Sequence, residues 1–121
     1  MASLDRITLA DVRTSCILGC YPAERTSPRP VRFTVEMAID TRHAAATDDL
    51  ADALNYELVE SALVATAANG RFRLLETLAN RAADAVLALS PAIRAVTLTA
   101  TKPDALPNTP VVSVTVTRSN P

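Results

Sequence analysis

The chain has 121 residues, which is one domain's worth and leaves no room for a second. At 49% hydrophobic and 21% charged residues it excludes intrinsic disorder. A net charge of −1 argues against nucleic acid or an anionic membrane surface as partner, since both are bound through clustered positive charge.

The N-terminal MASLDRITLADVR carries charges where a signal peptide needs an unbroken apolar stretch, and no run approaches a membrane span, so a soluble cytoplasmic protein is expected. Asp5 to Leu18 reads as a strand: Ile7 and Leu9 alternate, and Cys16 and Leu18 resume the alternation. Residues 19–30 form a loop in which three prolines and one glycine stop either flanking strand. Val31, Phe33, Val35, Met37 and Ile39 then alternate with Arg32, Thr34, Glu36, Ala38 and Asp40, the period-2 pattern of a strand with one dry face. Asp48 and Asp49 suit a turn and a cap.

The period changes in the middle of the chain. Asn55 offers a cap and Gly70 a stop for a helix with Leu58, Ala62 and Ala65 on one stripe. A second helix starts near Leu75, buries Leu75, Leu78, Ala82, Ala85 or Val86, and Leu89, and ends at Ser90-Pro91. Period 2 returns over Val96–Thr101 and Val112–Thr117. The order ββααββ predicts an α+β fold over residues 1–121, a four-stranded antiparallel sheet with two helices on one face. With aromatics at 3%, the core must be built from Ala, Val and Leu, which bury less per residue, so part of the stability is expected from oligomerisation. Val- and Thr-rich edge strands with few charges or bulge-forming glycines point the same way: continuing the sheet into neighbouring copies and closing a barrel removes the edges.

Cys16 and Cys20 are too few for a disulfide framework, and His43 lies far from them, so neither a metal site nor a cofactor is expected; both cysteines read as small apolar fillers. Eleven of the twelve basic residues are Arg, which leaves Lys102 as the only lysine. Arg does not release its proton at a working pH and Lys can, so Lys102, at a strand end before Pro103, is a candidate acid/base or Schiff-base residue or a chance survivor of an Arg bias. Glu24 suits a surface pair with Arg25 or Arg29, Tyr56 a core position with its hydroxyl in water, and Glu76 a carboxylate placed against a helix dipole.

Together these residues are more specific. ILGCYPAERTSPRPV, TDDLADALNY, RFRLLETLA, TKPDAL and VSVTVTR resemble, in order and across nearly the whole chain, the dihydroneopterin aldolase family. The resemblance implies a tunnelling fold, with subunits closing into a homotetrameric barrel or a stacked homo-octamer and sites between subunits. It implies that Glu76 anchors a pterin and that Leu75 supplies backbone contacts beside it. It likewise implies that Tyr56 packs on the ring and takes part in proton transfer from the adjacent subunit, and that Glu24 and Lys102 surround the reacting side chain and its water. The implied reaction is retro-aldol cleavage of 7,8-dihydroneopterin in folate biosynthesis; the alternatives are a 2′-epimerase on the same scaffold and a non-catalytic pterin-binding barrel. Arg29, where many members carry Gln, and Leu18, where many carry His, depart from the family pattern.

Overall fold

The computed structural model describes residues 4–120. Its elements are β1 (Asp5–Leu18), β2 (Arg29–Ile39), α1 (Arg42–Thr47), α2 (Tyr56–Asn69), β3 (Arg71–Phe72), α3 (Leu75–Leu87), β4 (Ala95–Leu106) and β5 (Thr109–Ser119). The sheet has five strands in the order β3-β1-β2-β4-β5, not four, and β3 pairs with β1 in parallel. β3 escapes a periodicity reading because it is two residues long. α1 escapes it because the Ala-rich segment RHAAAT buries none of its residues and carries no amphipathic signal.

The phase slip in β1 has a structural cause. Leu9 pairs with Val35 but Val12 pairs with Phe33, so one extra residue is accommodated between them. Asp11 takes the left-handed conformation there (φ 59°) and donates its N–H to Thr34 Oγ1 at 3.1 Å. Ile7 and Leu9 before the bulge, and Cys16 and Leu18 after it, thereby face the same core. A second irregularity follows Pro103 in β4, with Asp104 left-handed (φ 54°).

The core lies between the sheet and α2 and α3. Val31, Phe33, Val35 and Met37 of β2 and Val96, Leu98 and Ala100 of β4 meet Leu78, Ala82 and Val86 of α3, and all are buried. α2 begins after Asn55, whose Oδ1 accepts from Glu57 N–H at 3.0 Å, and stops at Gly70, which is extended rather than left-handed. Its buried stripe is Val59, Leu63 and Ala67, not Leu58, Ala62 and Ala65; Leu58 is exposed. Alanines scattered round this helix blur the contrast that locates a buried face. α3 stops three residues before Ser90-Pro91, and Leu89 is exposed beyond it. Cys16 is buried, but Cys20 is exposed, with its thiol towards the Arg73 carbonyl, so only one cysteine is a filler.

The other face of β4 and β5 carries a hydroxyl ladder, in which Thr97–Thr117, Thr99–Thr115 and Thr101–Ser113 share hydrogen bonds. Among the described residues, β1 from Asp5 to Cys16 and the whole of β5 each have a partner strand on one side only. No described helix is long and apolar enough to cross a membrane.

Candidate active site

Lys102 stands next after Val96, Leu98 and Ala100 in the row of β4 that faces the helices. The row ends there, and the loop between β1 and β2 covers it. A single 3₁₀ turn, Pro22–Arg25, brings Glu24 across the sheet end. Lys102 Nζ donates to Glu24 Oε2 at 2.6 Å, with side-chain exposures of 20% and 15%, which makes this the most sheltered ion pair among the described residues. Glu24 Oε1 also accepts from Tyr21 N–H at 3.2 Å. The Lys102 hydrogen bond holds the Glu24 carboxyl below its ordinary value; desolvation opposes this, and the Tyr21 N–H and the Arg29 charge assist. Glu24 is therefore a carboxylate at neutral pH, and its partner is Lys102, neither Arg25 nor Arg29.

Gly19 makes this placement possible. Its φ is +131°, and a Cβ there would lie 2.2–2.5 Å from the Glu24 carboxylate atoms. Gly70 has a steric reason too, because the Phe72 ring crosses it and a Cβ would meet ring carbons at 2.1 Å. From sequence, Gly19 reads only as a strand stop and Gly70 only as a helix stop; that there are just two glycines in 121 residues is the signal that could have flagged a steric need at each.

The start of α3 lies at the same end of the sheet, because β3 pairs with Ile17 and Leu18 immediately before it. Leu75 is buried by its side chain while its N–H belongs to the unpaired first turn of the helix. Glu76 follows, exposed, in that first turn. Glu76 and Asn80 share one flank of the helix, where Asn80 also accepts from Arg118 of β5. Thr77 and Arg81 lie on the other flank, where an open cavity of about 630 Å³ is lined by Cys20, Arg71, Arg73 and Leu74 as well.

Tyr56 is elsewhere. It is the first residue of α2 and is 62% exposed, so it is no core residue. Its neighbours Asn55 and Leu58 line a cavity of about 430 Å³ with Ile39, Asp40 and Leu54, at the opposite end of the sheet. Along β4 the distance from Lys102 to Ala95, which pairs with Ala38, is roughly 23 Å at about 3.3 Å per residue. One chain thus brings Glu24 and Lys102 into contact, sets Leu75 and Glu76 at the same end, and keeps Tyr56 at the other. Asp48 and Asp49 are the turn and cap residues expected of them: Asp48 is left-handed after α1, and Asp49 accepts from Ala51 N–H.

A sheltered ammonium–carboxylate pair beside a free helix start can move a proton next to a ligand held by its polar edge. Known proteins share this arrangement's frame. A family model of dihydroneopterin aldolase (FolB) matches residues 7–118. The Escherichia coli dihydroneopterin aldolase is 32% identical over 119 residues, covering 97% of this chain and 95% of the relative. That of Streptomyces coelicolor is 34% identical over 114 residues, covering 94% and 95%. A dihydroneopterin triphosphate 2′-epimerase of Pseudomonas aeruginosa is 28% identical over 111 residues, covering 92% and 89%. Among solved structures, E. coli dihydroneopterin aldolase in complex with neopterin superposes with a TM-score of 0.90 at 30% identity, covering 96% of this chain and 100% of that one. A Burkholderia dihydroneopterin aldolase bound to guanine gives 0.83 at 25% identity, covering 98% and 93%. With a family match over almost its full length and relatives above 30% identity, this chain belongs to the dihydroneopterin aldolase family.

Proposed function

We propose that the protein is a cytoplasmic dihydroneopterin aldolase of folate biosynthesis, with residues 1–121 acting as one catalytic domain. It cleaves the C1′–C2′ bond of 7,8-dihydroneopterin to give 6-hydroxymethyl-7,8-dihydropterin and glycolaldehyde. The observation that carries this reading is the 2.6 Å contact between the chain's only lysine and Glu24, in a frame that matches the family from residue 7 to residue 118.

Glu76 accepts two parallel N–H bonds from the amino–oxo edge of the pterin, a fork geometry that gives specificity as well as energy. The same edge is present on guanine, the molecule bound in the Burkholderia relative. Leu75 adds main-chain contacts from the first turn of α3. Lys102, as the neutral amine and working through a water beside Glu24, takes up the 2′-hydroxyl proton and becomes the ammonium. The O–H electrons form the aldehyde carbonyl, the C1′–C2′ bond breaks, and its electron pair is taken up by the C6=N5 imine of the substrate. Returning a proton to C1′ completes the product. Because the substrate supplies its own electron sink, Lys102 need not form an imine.

Tyr56 assists the protonation from a neighbouring subunit. Its place at the far end of the sheet from Lys102 supports this, since a complete site then needs two copies. The one-sided strands β1 and β5 support a homotetrameric barrel, or two stacked as an octamer, in which they pair across subunits.

Incubation with 7,8-dihydroneopterin and chromatography of the products tests the reading. Hydroxymethyldihydropterin and glycolaldehyde are expected. Monapterin alone would mean a 2′-epimerase, and unchanged substrate would mean a non-catalytic pterin-binding barrel.

A further inference from the structure

Arg25 has no carboxylate partner among the described residues, although it is half-buried beside an acidic side chain. Its guanidinium is directed instead at the main chain. Nη1 donates to the carbonyl of Gly19 at 3.2 Å and to that of Phe72 at 2.9 Å, and Nη2 reaches the Arg71 carbonyl at 3.5 Å. Arg71 returns the contact, donating Nη2 to the Arg25 carbonyl at 2.7 Å. Gly19 N–H also donates to the Phe72 carbonyl, at 3.0 Å. Two segments nearly fifty residues apart in sequence are thereby laced together at Gly19, the residue whose missing side chain makes room for the Glu24 carboxylate.

We propose that Arg25 is a positioning residue for the Glu24–Lys102 pair: its planar fork locks the Gly19–Arg25 turn to the Arg71–Phe72 strand and so fixes the Glu24 carboxylate against Lys102. The argument is geometric. Glu24 sits in a single 3₁₀ turn whose residues are not buried, so little apolar packing holds it. What ties the turn to the body of the protein is the Arg25–Arg71 exchange, together with Gly19 N–H, the weak Cys20 thiol contact to the Arg73 carbonyl and the ion pair itself. A guanidinium presents several donors in one rigid plane and can satisfy carbonyls on two strands at once; an ammonium offers the same charge from a single point. The charged groups acting on Glu24 are Lys102 of β4 and Arg29 of β2, with Arg25 in its own turn and Arg71 of β3 behind it.

The catalytic arm of the test rests on the aldolase reading, and a second arm does not. In ligand-free protein labelled with ¹³C at the glutamate carboxyls, with the Glu24 signal assigned by its loss in Glu24→Gln, Arg25→Ala is expected to raise the Glu24 titration midpoint above that of the wild type. Arg25→Lys, which keeps the charge without the fork, is expected to resemble Arg25→Ala. In turnover both variants are expected to lose about 10- to 100-fold in kcat, as for a small misplacement of a reacting group. Neopterin binding is expected to stay within roughly threefold, since the pterin edge is held elsewhere. A wild-type Glu24 midpoint in Arg25→Lys would overturn the proposal in favour of a simple charge effect, and it can be read even if Arg25→Ala does not fold. Lower melting temperature with unchanged titration in both variants would reduce Arg25 to a structural tie. A wild type that fails to cleave dihydroneopterin would defeat the aldolase reading while leaving the titration arm to decide on Arg25.

Discussion

The two ends of the sheet are built differently, although both carry a cavity and both carry charge. At the Lys102 end, Lys102 and Glu24 are mostly shielded from water, a glycine at φ +131° makes room for the carboxylate, and an arginine is committed to three main-chain carbonyls. At the Tyr56 end the shortest ion pair, Asp40–Arg42, is 2.7 Å long but open to solvent, and the tyrosine itself is exposed. The Arg42 hydrogen bonds draw the Asp40 carboxyl down to about 2, yet an exposed pair of this kind contributes little to stability. A perturbed carboxyl is therefore a poor guide to function by itself; shelter and forced geometry separate Glu24 from Asp40. Only the Lys102 end holds a sheltered charged pair; the Tyr56 end presents its side chain outwards, where the proposed assembly would have a neighbouring copy use it.

The sharpest way to break this contrast is to disable the sheltered end. Lys102→Arg keeps the positive charge and is expected to lose about 10²–10⁴-fold in turnover, because a guanidinium does not give up its proton. Neopterin binding should fall much less. Borohydride added during turnover should trap no adduct, and a trapped adduct at Lys102 would replace the proton-carrier role with an imine. Next in size is Glu76→Gln, which should weaken neopterin binding by about 1.5–3 kcal/mol, the usual worth of hydrogen bonds to a charged group, in a fluorescence titration. Unchanged affinity would return Glu76 to a helix-start charge.

Gly19→Ala sharpens the comparison through stability. The substitution strains a positive φ and drives a methyl into the Glu24 carboxylate, so thermal unfolding should show a loss of about 1–3 kcal/mol together with reduced turnover. The smallest expected effect is on pH dependence. The Glu24 carboxyl is held below its ordinary 4.5 chiefly by Lys102, so the pair's contribution is complete above that pH and drains away as the pH falls through the lowered value. The difference in melting temperature between the wild type and Glu24→Gln should be constant above pH 4.5 and shrink below it. Asp40→Asn should leave the melting temperature nearly unchanged.

Much of this was legible in the sequence where the signal was local. Asn55 and Gly70 marked the ends of α2, and the alternation of Ile7 and Leu9, resumed by Cys16 and Leu18, marked β1, although the extra residue between them was not read. The face of α2 was not legible, since alanines give no contrast, and neither was β3, whose two residues show no period. Composition singled out Lys102, but its contact with Glu24 spans 78 residues of sequence and was expected only through the family resemblance. Arg25 read as a surface partner of Glu24 because residue type reveals charge and not direction; its acceptors are carbonyls, which any sequence has everywhere.

In the proposed assembly, a working site joins the Lys102 end of one copy to the Tyr56 end of another. Lys102→Arg and Tyr56→Phe chains, each nearly inactive alone, can be mixed, dissociated and reassembled. If sites are shared between neighbours in a closed ring, about a quarter of randomly formed sites take an intact Lys102 and an intact Tyr56 from different chains, and that fraction of wild-type activity should return. Activity no greater than the sum of the two variants, in assemblies proven to contain both, would mean that Lys102 and Tyr56 do not meet across subunits.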